Sequence, residues 1–138
     1  MNIKELEQTY IDDLNMLDDW MLQYDYLLQI SAAMPRLPED YKTEVNKVPG
    51  CQSGVWLKLE YSDGVVHITA DSDAMIIRGI LAVAVGILNE QRSEDIADYK
   101  PRFIEETNIK KQISTDRFNG MNSVINKIKD FAKAKLML

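Results

Sequence analysis

The segment Gly54–Ala70, GVWLKLEYSDGVVHITA, indicates the fold class of this 138-residue chain because it predicts a β-hairpin. Every second residue from Val55 to Tyr61 lies on one apolar face, which is the period of a strand with one buried side. Residues 62–64, Ser-Asp-Gly, form a turn signal, since glycine accepts positive φ. Val65–Ala70 is then the returning strand, which makes the predicted sheet antiparallel.

The residues before the hairpin predict two helices and one more strand. Apolar side chains recur every three or four positions over Ile3–Leu17, the spacing of one helix face. A second helix is expected to begin at Asp18 or Asp19 and to end before Pro35, because proline cannot continue the helical hydrogen bonds. A hairpin alone is marginally stable, so we expect a third short strand within Thr43–Val48.

The residues after the hairpin predict mostly helix. Ala74–Asn89 is almost entirely apolar and is expected to form the central helix of the core, capped by Asp71 or Ser72. Shorter or later helices are expected at Ser93–Ile96, from Pro101, and from Ser114 or Thr115. The sequence therefore predicts a single α+β domain over residues 1–138, in which helices pack on one face of a small antiparallel sheet of about three strands.

The composition excludes several classes of function. The net charge is −6 and the pI is about 4.8, whereas a nucleic-acid surface needs clustered Lys and Arg. The apolar run Ala74–Leu88 contains Arg78 and is shorter than the roughly 20 residues that span a bilayer. Residues 1–7 carry the acidic Glu5 and Glu7 besides Lys4, which is unlike the start of a signal peptide. We therefore expect a cytoplasmic protein with neither a nucleic-acid nor a membrane partner.

Cys51 is the one cysteine of the chain and lies in a glycine-bracketed loop, Gly50–Gly54, just before the first predicted strand. A single cysteine excludes an internal disulfide, and with His67 as the one histidine a metal site of such ligands is not expected. Free cysteines are often buried as small apolar side chains. The glycines and the polar pair Gln52-Ser53 favour instead a thiol that other molecules can reach.

Three motifs resemble the SufE family of sulfur acceptors. The first is the loop Gly50–Trp56, GCQSGVW, and the second is Asp71–Ala74, DSDA, which leads into the apolar helix through Gly79 and Ile80. The third is Ile113–Met121, ISTDRFNGM. They occur in the family's order, and the resemblance covers nearly the whole chain. It implies a SufE/IscU-like fold.

The sequence departs from the family pattern at a few positions and keeps others. Ile113 and Thr115 stand where the family usually has leucine and proline, whereas Arg117 and Gly120 are retained. Gly54 stands where the family often has a larger polar residue, which predicts a looser loop around the cysteine.

The resemblance implies that Cys51 accepts persulfide sulfur from a SufS-like cysteine desulfurase, stimulates that enzyme and passes the sulfur to a SufBCD-like iron–sulfur scaffold. The pyridoxal phosphate of this chemistry would belong to the desulfurase, so no cofactor is expected in this chain. The chain would be a sulfur carrier rather than a stand-alone enzyme. The motifs also mark supporting or partner-binding residues: Gly50, Gln52, Ser53, Asp73 and Arg117.

Two of these residues have equally good structural explanations. Arg117 is either the cation that favours the Cys51 thiolate or a member of an ion pair or helix cap. Asp73 is either part of the desulfurase-facing surface or a helix cap. A carrier also gains from hiding its loaded sulfur, so we expect a loop with two positions, hinged at Gly50 and Gly54.

Three alternatives remain open from the sequence. The first is a CsdE-type paralogue that serves another desulfurase. The second is an enzyme acting alone through Cys51, for which His67 is the one candidate histidine base, although it is expected on a strand away from the loop. The third is an interaction domain in which the cysteine is incidental.

Overall fold

The computed structural model describes residues 1–137 as an α+β fold, which confirms the predicted class. A short 3₁₀ turn, Glu39–Tyr41, follows the first two helices. The helices are α1 (Ile3–Asn15), α2 (Trp20–Ala33), α3 (Met75–Leu88), α4 (Ser93–Ala97), α5 (Ile109–Gln112) and α6 (Thr115–Leu136), and the strands are β1 (Val55–Ser62), β2 (Val65–Ser72) and β3 (Gln91–Arg92).

The three strands form an antiparallel sheet in the order β1-β2-β3. The hairpin turn has positive φ at Asp63 and Gly64, 53° and 82°, as the turn signal predicted. The predicted place of the third strand is wrong. β3 follows α3. The segment between them is fastened to β2 by Asn89, whose side-chain oxygen accepts the Ile68 N–H at 2.7 Å. Residues 43–48 contribute one isolated bridge to β1, between Lys47 and Trp56.

Helix α3 is the centre of the core, as its apolar sequence predicted. Ten of its residues are buried, and α2 and β2 pack against it. The contact with α2 is close at Gly79, where an added Cβ would lie 2.8 Å from the backbone oxygen of Leu27. Val55, Leu57 and the facing residues of β2 are buried beneath the helices, so the sheet buries one face.

Two predictions about helix starts are wrong. Helix α3 begins after Ala74 without a side-chain cap, and Asp71 is used instead in an ion pair with Arg78. No helix opens at Pro101, because the N–H groups of Arg102 and Phe103 bond to the buried carboxylate of Glu7, at 2.9 and 3.2 Å, and fasten this segment to α1. The predicted starts of α2 and α6 are confirmed by the capping side chains of Asp19 and Ser114.

A buried ion pair joins the end of the sheet to the helices. Arg78 Nε donates to Asp71 Oδ1 at 2.7 Å, and both side chains are almost fully enclosed. Arg78 also donates to the carbonyl oxygens of Ser31 and Met34 at the end of α2. The other carboxylate oxygen of Asp71 accepts the Leu37 N–H at 3.1 Å. This network holds α2, the proline-containing segment after it, β2 and α3 together.

Within residues 1–137, the structure contains no helix with the length and apolar character needed to cross a membrane.

Candidate functional site

The cysteine loop lies between the isolated bridge and β1. Its base is closed by a hydrogen bond from the Val48 N–H to the Val55 carbonyl, 2.8 Å long. Gly50 has φ +84°, a backbone conformation that side-chain-bearing residues rarely adopt, so the glycine before Cys51 is required by the bend. The loop residue Cys51 is thereby turned toward α6 rather than into the strand.

The Cys51 side chain is half-buried against helix α6. Its Sγ lies 3.7 Å from the carbonyl oxygen of Gly120, a weak S–H···O contact. A Cβ added at Gly120 would lie 3.2 Å from Sγ and 3.5 Å from the Cys51 Cα. Glycine at position 120 is therefore what lets the cysteine approach the helix this closely.

A small cavity adjoins the thiol. Its volume is about 10 Å³, roughly the space of one small atom or water. The apolar part of its wall consists of Val55, Ile77 and Met121. Ile77 belongs to α3, so the central helix supplies part of the cavity wall. The wall is completed by polar or small residues of the loop and α6: Gln52, Ser53, Arg117 and Gly120.

Burial raises the pKa of the Cys51 thiol above its ordinary value, because desolvation disfavours the charged thiolate. A thiol with a raised pKa has a smaller thiolate fraction at neutral pH than a free cysteine. Since the thiolate is the nucleophile, we expect Cys51 in this position to react more slowly than a free cysteine.

We expect the pH profile of Cys51 alkylation by iodoacetamide to have its midpoint at higher pH in the folded protein than in the urea-unfolded chain. The reason is the raised folded pKa, which delays thiolate formation as the pH rises. The rate can be followed by intact-protein mass, and labelling is unambiguous because the chain has one cysteine. A folded midpoint at or below the unfolded one would contradict this interpretation of the site.

Asp73 fastens the far end of the loop rather than capping α3. Its Oδ1 accepts the Gly54 N–H at 3.0 Å, and its own N–H donates to the Gly54 carbonyl at 3.2 Å. The same carbonyl accepts the Ser72 hydroxyl at 2.8 Å. The expectation of a looser loop at Gly54 does not match this structure, since both backbone polar groups of the glycine are bonded and an added Cβ would overlap the Trp56 ring.

Gln52 ties the tip of the loop to α6. Its side-chain amide donates to Asp116 Oδ2 at 3.2 Å, between two exposed side chains. Sequence reasoning missed Asp116, which is 64 residues away and carries no local signal for this contact. Ser53 lines the cavity without a side-chain hydrogen bond among the described residues. The predicted site residues Gly50, Gln52, Ser53 and Asp73 are thus brought together around Cys51.

Arg117 lies in the wall of the cysteine cavity, in the first turn of α6. No carboxylate within residues 1–137 forms an ion pair with its guanidinium, so the structural ion pair considered from the sequence is not formed here. The backbone N–H of Arg117 donates to the capping Ser114 Oγ at 3.1 Å, so the helix cap uses the backbone of Arg117 and not its guanidinium.

His67 lies in β2, opposite Glu60 in the second half of β1, whereas the cysteine loop joins β1 at its first residue. The imidazole is hydrogen-bonded to Ser62 Oγ at 2.7 Å. This placement does not bring a histidine base to Cys51. In the described part of the chain, no group of three His, Cys, Asp or Glu side chains could hold a metal ion.

The comparisons with known proteins identify the family of the chain. Residues 8–132 match the family model described as SufE, Fe-S metabolism associated domain. An uncharacterised SufE-like protein of Rhizobium etli is 32% identical over 130 residues, covering 91% of this chain and 88% of the relative. One from Rhizobium meliloti is 33% identical over 131 residues, covering 91% and 94%. The chain belongs to the SufE family.

A solved structure shares the fold. The solution structure of a hypothetical protein from Thermus thermophilus superimposes with a TM-score of 0.77, covering 99% of this chain and 96% of the other at 15% identity. At that identity the likeness concerns the fold alone.

Proposed function

We propose that this protein is a sulfur carrier that takes sulfur onto Cys51 from a SufS-like cysteine desulfurase, stimulates that enzyme and delivers the sulfur to a SufBCD-like scaffold for iron–sulfur clusters. The observation that carries the proposal is the position of Cys51. Its thiol rests beside a small, mainly apolar cavity, on a loop fastened by a few surface hydrogen bonds. Membership of the SufE family supports the same role.

The transfer is an exchange between sulfur atoms and needs no external oxidant. The Cys51 thiolate attacks the outer sulfur of the desulfurase persulfide, a bond forms between Cys51 Sγ and that sulfur, and the sulfur–sulfur bond of the donor breaks. The donor cysteine leaves as a thiolate and takes up the proton that Cys51 released. Cys51 then carries the persulfide, and the same exchange in the next step passes its outer sulfur to the acceptor.

The resting position explains how such a carrier avoids side reactions. A persulfide or thiolate in solution is consumed by oxidants and small thiols. Here burial lowers the thiolate fraction, and the apolar wall of Ile77 and Met121 excludes water from one side. Transfer then requires the loop to move outward, with Gly50 as its hinge and the contacts of Gln52 and Gly54 as the bonds that break.

The function is tested by the intact mass of the protein after incubation with a cysteine desulfurase and free cysteine, without reductant. We expect a gain of one or more sulfur atoms that a reductant removes, and no gain in Cys51→Ser. The matched control is His67→Ala, which we expect to load like the wild type.

The outcomes separate the alternatives. Loading that required His67 would favour the stand-alone enzyme. No loading from several active desulfurases would reject the carrier role and favour an interaction domain. Loading from a desulfurase outside the iron–sulfur pathway would favour the CsdE-type paralogue.

A further inference from the structure

A groove of about 350 Å³ runs beside the cysteine loop, a size typical of ligand-binding pockets. One wall is the aromatic pair Trp20 and Tyr24 at the start of α2, whose rings meet edge to face at 6.1 Å. Ile76 of α3 and Ile113, just before α6, line it as well. These side chains are half-buried, so their apolar surface is open to the groove.

The groove and the cysteine cavity share two lining residues, Gln52 and Arg117. Gln52 therefore forms part of the partition between them, and Asp116 is its one side-chain hydrogen-bond partner among the described residues. A molecule in the groove touches Gln52 directly. Loss of the exposed bond to Asp116 would remove the side-chain contact that ties the tip of the loop to α6.

The character of the lining indicates what binds there. Arg117 is the one charged residue of the lining and has no carboxylate partner within residues 1–137. Met21 and Met75, the sequence neighbours of the lining residues Trp20 and Ile76, are 81% and 48% exposed. Exposed apolar surface beside Trp, Tyr and an unpaired Arg is typical of a protein interface.

We propose that this groove binds the segment of the cysteine desulfurase that carries the persulfide, with an apolar side chain against Trp20 and Tyr24 and an anionic group, the persulfide or a carboxylate, at Arg117. This inference rests on the proposed function and adds the docking surface to it. Occupation of the groove then does two things, because it places the donor sulfur beside Cys51 and displaces Gln52 so that the loop opens.

The test fills the groove from its rim. Gln112 is an exposed lining residue, so Gln112→Trp blocks the groove without disturbing the core. Lys111→Trp is the matched control, since Lys111 is exposed on the same short helix but does not line the groove. Trp20→Ala is the second variant and removes the aromatic wall.

The measurement is the initial rate of persulfide loading on Cys51 at increasing concentrations of each variant. We expect Gln112→Trp and Trp20→Ala to raise the half-saturating concentration about tenfold, the loss of one interface hot spot. We expect Lys111→Trp to match the wild type. Loading of all variants by inorganic polysulfide, which needs no docking, should stay unchanged, and circular dichroism verifies that Trp20→Ala is folded.

Failure of this inference is distinguishable from failure of the proposed function. A wild type that no desulfurase loads rejects the function. A wild type that is loaded, together with Gln112→Trp and Trp20→Ala loaded equally well, rejects the groove alone. Normal loading with impaired delivery to the acceptor would assign the groove to the acceptor and also overturn the proposal.

Discussion

Replacing Arg78 by methionine should lower the free energy of unfolding by about 3–5 kcal/mol, the usual cost of removing one partner of a buried ion pair. The variant deprives the enclosed Asp71 carboxylate of its closest and most deeply buried cation, and leaves it with Lys42 at 3.6 Å and Arg36 at 3.8 Å. It also removes the donors that satisfy the carbonyl oxygens of Ser31 and Met34. Four segments of the chain meet at this guanidinium, so no single surface adjustment restores the lost contacts.

The measurement is urea unfolding at neutral pH, with Arg36→Met as the matched control. Arg36 also approaches Asp71, at 3.8 Å, but its side chain is 65% exposed, so we expect its loss to cost about 1 kcal/mol or less. An Arg78→Met variant as stable as Arg36→Met would show that the ion pair contributes little to this fold.

The ion pair between Asp71 and Arg78 also makes the free energy of unfolding depend on pH. Burial acts to raise the pKa of Asp71, but the hydrogen bonds from Arg78, Ser72 and Leu37 and the charge of Arg78 outweigh it, so the folded pKa lies below the ordinary value. The stabilisation is therefore present above the unfolded pKa and is lost as the pH falls through the folded pKa. We expect the difference in stability between wild type and Arg78→Met to become smaller in acid, and the part due to the hydrogen bonds to Ser31 and Met34 to remain.

Replacing Gly120 by valine should expose Cys51 and raise its alkylation rate about 5- to 150-fold. A single Cβ at this position already lies 3.2 Å from Sγ, and valine adds two methyl groups to that Cβ. Overpacking costs about 1–3 kcal/mol, and this strain acts on the closed loop position alone. Since about 1.4 kcal/mol corresponds to a tenfold change in an equilibrium constant, this strain shifts the loop toward the open position by about 5- to 150-fold.

The control is Asn119→Val, the same side chain at the neighbouring exposed position of α6. We expect it to alkylate like the wild type and both variants to keep the α-helical circular dichroism spectrum. Valine is a better helix former than glycine, so a loss of helix would not explain faster labelling in Gly120→Val. Equal alkylation rates in the two variants would show that Gly120 does not control access to the thiol.

Much of the fold and part of the site follow from local patterns in the sequence. The alternation in β1, the turn at Asp63-Gly64 and the apolar run of α3 each act over a few residues, and all three are confirmed. The loop position of Cys51 follows from its flanking glycines in the same way, because turn chemistry is a property of adjacent residues. Periodicity also predicts which helix faces are buried.

Partners distant in sequence required the tertiary structure. The contact of Cys51 with Gly120 joins residues 69 positions apart, and Gln52 meets Asp116 across 64. The sequence predicted the third strand before the hairpin. In the structure the third strand follows α3, because the packing of α3 brings the chain back to the edge of β2. A local pattern determines that a side chain is buried or that a chain turns. Which distant group it then meets is decided by the packing of the whole core, since burial itself has no direction.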